Sequence, residues 1–147
     1  MGTMILQTLA AGIGTVAFCV LYRVPQKYFF HCGMVGIIEW IVFLFVNEHF
    51  RSEAIAIFCA AFTVVCLSRY LAIKRKCPLT MFLIPGIFPL VPGSKIYYMT
   101  YTASVSAYNR AFYYCIEAFK AAFAIAIAIA IGSRISSKWF QIGKCKE

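Results

Sequence analysis

Residues Met81 to Tyr101 read MFLIPGIFPLVPGSKIYYMTY, a stretch apolar enough for a lipid bilayer and too interrupted for a regular helix. Pro85, Pro89 and Pro92 each lack a backbone donor, and each disfavours helical geometry in the residue before it. Gly86 and Gly93 permit backbone angles that other residues avoid, so Gly93 is expected to let the chain turn. Backbone groups freed in this way are costly in lipid. They are tolerated at membrane depth only where protein buries them or water wets them. Discontinuous helices of this kind build the substrate sites of transporters. Entering at Leu79 and rising about 1.5 Å per residue, the chain reaches Gly86 to Pro92 near the middle of a hydrocarbon core roughly 30 Å thick. A second half-helix then starts near Ser94, a candidate N-cap.

The rest of the chain is built to match. Of 147 residues, 63% are hydrophobic and only 13% charged, against roughly a quarter charged in a soluble domain. The pattern predicts an all-α polytopic membrane protein in one domain. Its five spans lie at about 3–22, 29–46, 54–73, 79–101 and 113–131, the fourth broken by the Pro/Gly motif. No basic residue precedes the first span while Arg23 and Lys27 follow it, the reverse of a signal peptide, so a retained helix is expected. The run AIAIAIAI in the last span alternates with period two. An isolated strand cannot satisfy its backbone in lipid, so helix is expected there. On that helix Ala122, Ala126 and Ala130 form one small stripe, and Ala124, Ala128 and Gly132 another, a helix that neighbours could grip from two sides. Ala10 and Gly14 form a similar pair on the first span.

Fourteen Lys and Arg stand against five Glu and no Asp. The basic residues mostly flank apolar spans, which leaves no soluble basic face for nucleic acid. With the N-terminus outside and the C-terminus cytoplasmic, ten of the fourteen lie on the cytoplasmic side: Arg23, Lys27, Arg69, Lys74, Arg75, Lys76, Arg134, Lys138, Lys144 and Lys146. Seven cysteines without a C-x-x-C, and histidines at opposite ends of one span, indicate neither a disulfide framework nor a metal site. No cofactor is expected. No nucleophile–base pair is apparent, so an enzyme is not expected either.

The candidate substrate site follows from the break. The free amides at the start of the second half-helix, together with its dipole and Lys95, suit a carboxylate. Ser94, Tyr97 and Tyr101 share a helical stripe that could line a polar path. The site residues are therefore Pro89, Pro92, Gly93, Ser94, Lys95, Tyr97 and Tyr101. The plainer alternative is a kinked structural helix with an interfacial tyrosine belt and a lysine extended to lipid heads. Glu39 is the only acid near the middle of an apolar span. It is either a proton carrier or a neutral or paired group that holds helices together. Glu117 and Lys120 form a local pair.

At FPLVPGSKIYY, residues 88–98, and again at RVPQKYF, residues 23–29, the chain resembles the threonine/serine exporter family, in particular its smaller C-terminal module of about five spans. The resemblance implies proton-coupled export of small amino acids. It also implies a larger N-terminal module of the same family, here on a separate chain. Related split systems look like exporters of dicarboxylates such as succinate, which would suit Lys95 equally. A non-transporting assembly subunit is the rival of another class. The lipid bilayer is the remaining partner, with a homo-oligomer also open.

Overall fold

A computed structural model describes residues 2–134; the tail residues Lys138, Lys144, Cys145 and Lys146 lie outside the described residues. Helix α1 covers Gly2–Leu21, α2 Phe29–Phe50, α3 Glu53–Arg75, α4 Thr80–Ile87, α5 Gly93–Ser104 and α6 Tyr108–Arg134. Short 3-10 turns cover Gln26–Tyr28 before α2 and Phe88–Leu90 after α4. The alternating Ala/Ile run is helical throughout. Among the described residues four helices are long and apolar enough to cross a membrane, and Thr80–Leu90 is a shorter apolar segment. The architecture is an all-α bundle of about five passes, the fourth broken at its prolines.

Helices α1 and α2 pack through glycine. A Cβ on Gly12 would meet Ile37, and one on Gly36 would strike the side chain of Thr15. The Thr15 hydroxyl is fixed by donation to the Ala11 carbonyl at 2.8 Å and is fully buried. The Ala10/Gly14 pair does not make this contact. Ala10 is exposed, and a Cβ on Gly14 would meet nothing within 4 Å. Two residues along a helix turn the contact to the far face, so Gly12 serves instead. Gly36→Val should therefore overpack the α1–α2 contact and destabilise the protein by about 1–3 kcal/mol. Thermal unfolding in detergent measures this, and an unchanged midpoint would refute the close approach.

The Ala/Ile part of helix α6 lies along α3, while its first part packs against α5. Ala121, Ile125 and Ala128 join Ile57, Ala60 and Ala61 in one apolar cluster, and Gly132 sits against Val65. Arg69 donates to the Gly132 carbonyl at 2.6 Å and to the Ser133 carbonyl at 3.1 Å, satisfying the carbonyls at the end of α6 and its negative dipole end. The Ala122/Ala126/Ala130 stripe is exposed. The expectation of a helix held on both sides is thus met by this chain on one side.

Helix α4 sits against α1, α2 and α3. A Cβ on Gly86 would press on Val64 and Val35, which places Gly86 midway along α3. Pro85 cannot donate to the carbonyl of Met81. The Cys32 thiol donates to that carbonyl instead, at 3.8 Å. Leu90 joins the cluster of Ile57, Ala60 and Ala61, and Lys95 is level with Glu53, the first residue of α3. The break therefore occupies the half of the crossing nearer Glu53 rather than its centre. The second half-helix does not continue along α3. Helix α5 folds back on α6, and the pair extends past Glu53 by the stretch from Tyr108 to Glu117, roughly 14 Å of helix.

Candidate functional site around the broken helix

The break is a sharp, locally satisfied turn. Val91 donates to Phe88 at 3.2 Å, and Gly93 donates to Val91 at 2.7 Å. Pro92 has φ −76° and ψ 53°, so Val91–Gly93 is an inverse γ-turn. Pro92, not Ser94, occupies the N-cap of α5. The first bond into the helix runs from the Ile96 amide to the Pro92 carbonyl at 3.1 Å, which leaves the Ser94 and Lys95 amides without backbone acceptors. Gly93 contributes no special angle. Its φ is not positive, and a Cβ there would meet nothing within 4 Å. Proline imposes the turn, so the expectation that Gly93 is needed for it is corrected.

A cavity of about 120 Å³ opens beside this turn. Pro89, Pro92, Ser94 and Lys95 line it from the break, Trp40 and Phe43 from α2, and Glu53 and Ile57 from α3. The structure thus brings four of the seven expected substrate-site residues to one cavity. Tyr97 and Tyr101 stack on each other, centroids 6.3 Å apart, and are exposed along α5. They, like Gly93, are not among the cavity's lining residues.

Lys95 is engaged by acids of two other helices. Its ammonium lies 2.7 Å from Glu53 Oε2 and 3.7 Å from Glu117 Oε2, and Lys120 holds the other Glu117 oxygen at 2.8 Å. Two lysines and two glutamates therefore cancel in one cluster at the mouth of the break. Three separate segments supply it: the start of α3, the start of α5 and the first half of α6. Such partly exposed pairs add little static stability. Their consequence is the local field: a site with both signs present and no net charge.

Two further polar groups, both on α2, are without partners among the described residues. The Trp40 indole Nε1 is buried and has no hydrogen-bond acceptor among the described residues. Glu39, its neighbour in sequence, is completely buried, and neither carboxyl oxygen has a partner. A buried polar group left unpaired is costly.

Glu53 and Trp40 were not singled out from the sequence. Glu53 belongs to a loop-like stretch, NEHFRSE, and Trp40 to an unbroken apolar run. The available signal was the scarcity of acids: with five Glu against fourteen Lys and Arg, each acid near a span end was a potential partner for Lys95.

No curated protein and no solved structure matches the chain. A family profile described as "Threonine/Serine exporter, ThrE" matches residues 7–135, which takes in α1 from its sixth residue, the whole of α2 to α6 and the whole broken segment. By that match the chain belongs to the threonine/serine exporter family.

Proposed function

We propose that this chain is one subunit of an exporter of small amino acids of the threonine/serine type, driven by proton entry and completed by a larger module of the same family. The family match carries the reading. The cavity at the break supports it in scale: about 120 Å³ holds roughly four waters at about 30 Å³ each, room for a ligand of few heavy atoms. Glu39 supports proton coupling, because an intramembrane carboxyl without a partner is suited to carrying a proton across a conformational change. The exposed Ala122/Ala126/Ala130 stripe supports a partner, since small faces let helices approach closely in lipid.

The charge distribution supports an orientation. Among the described residues, Arg23, Lys27, Arg69, Lys74, Arg75, Lys76 and Arg134 gather at the Arg75 end of the bundle, against Arg51, Lys95, Arg110 and Lys120 at the other. Placing the richer end in the cytoplasm puts the N-terminus outside and the C-terminus inside a cytoplasmic membrane.

The test is release of labelled threonine and serine from loaded vesicles containing this chain, the larger module, or both. Gradient-dependent release is expected only from the pair. Coupled release by this chain alone would refute the split arrangement, and a pair that releases neither amino acid would refute the exporter reading.

A further inference from the structure

We infer that the cavity at the break takes an α-amino acid by its two charged ends, with Lys95 holding the carboxylate and Glu53 the ammonium. The inference rests on the exporter reading and assigns the substrate-selecting groups within it.

The electrostatics decide between ligand classes. Lys95 and Glu53 are 2.7 Å apart and both line the cavity. A zwitterion entering between them exchanges one pair of opposite charges for two: its carboxylate meets the ammonium of Lys95 and its ammonium meets the Glu53 carboxylate. Each protein charge keeps a partner throughout. The Ser94 and Lys95 amides, without backbone acceptors, add donors on the carboxylate side. A dicarboxylate fares differently. Its first carboxylate would displace Glu53 from Lys95, and its second would find Glu53 and Glu117 facing the same cation. Like charges brought together across a binding surface are strongly disfavoured. A neutral cluster of two lysines and two glutamates thus selects a net-neutral ligand bearing both signs.

The experiment is calorimetric titration of the wild-type pair of subunits in lipid nanodiscs with threonine, with 3-hydroxybutyrate, which lacks the ammonium, and with succinate. The same titrations are run on Glu53→Gln. Wild type should bind threonine in preference to the other two. Glu53→Gln should weaken threonine by about 10- to 100-fold, the loss of one charged hydrogen bond, while leaving 3-hydroxybutyrate unchanged or tighter. Threonine binding that is equal in wild type and Glu53→Gln overturns the assignment and leaves the exporter reading intact. Equal losses of threonine and 3-hydroxybutyrate in Glu53→Gln overturn it too, because that pattern marks a structural role. A wild-type pair that binds succinate in preference to threonine overturns the assignment and the amino-acid reading together.

Discussion

Glu39→Gln is expected to abolish the dependence of export on a proton gradient while preserving insertion and downhill exchange. Glutamine keeps the shape of the carboxylic acid but cannot release a proton. Glu39 is completely buried in α2 and neither oxygen is paired. An unpartnered charge is expensive to bury, so deprotonation there requires water or a partner group to reach the residue. That requirement ties proton movement to a change in packing. One pH unit supplies about 1.4 kcal/mol per proton, equal to about tenfold in the accumulation ratio at one proton per substrate. That factor should vanish in Glu39→Gln. Glu39→Asp keeps the acid, shifted by one methylene, and should keep part of the coupling. The measurement is labelled threonine release at zero and one unit of imposed gradient. Full gradient dependence in Glu39→Gln would make Glu39 a structural residue and put coupling in the partner module.

The second large effect is expected at Lys95. Lys95→Glu would place three carboxylates together, with Glu53 and Glu117 already converging on that position. Juxtaposed like charges cost several kcal/mol when desolvated, and screening reduces this here because Glu53 is 44% exposed. The fold should survive, since helix burial elsewhere is untouched. Export should fall by about a hundredfold or more, the consequence of losing the one cation among the described residues that line the cavity and adding an anion. The reversal Lys95→Glu with Glu53→Lys restores opposite signs across the same gap and should recover part of the lost activity. Lys95→Ala should sit between. Near-native export by Lys95→Glu in a folded protein would remove the break from the transport pathway.

The architecture was legible because its causes are local. Apolar length sets the passes, and each proline of Met81–Tyr101 acts on its own neighbours, so a broken fourth crossing could be read directly. Register was not legible in the same way. Ala10/Gly14 and Gly12 are equally good small faces on paper, and only the residues of the facing helix, Ile37 and Gly33, decide between them. The direction of α5 was also hidden, because its apolar residues suit a continued crossing and a return along α6 alike. Half of the site was visible for the local reason, through Pro89, Pro92, Ser94 and Lys95. The other half was not, because Glu53 and Trp40 reach the cavity only through the packing of α2 and α3. Gly93 misled in the other direction: proline already imposes the turn that the glycine was expected to permit.

The short α4 has a consequence for biogenesis. Its eight-residue helix and the 3-10 turn after it make about 18 Å of regular structure, well short of the hydrocarbon thickness. Such a segment is a weak stop for an insertion machinery that examines one helix at a time. Its cradle, α1, α2 and α3, has already been synthesised when it emerges, and α6, which lies along α3, follows last. The ribosome therefore delivers the pieces in the order in which each finds its neighbours waiting, and α4 is retained by helices already resident rather than by its own length.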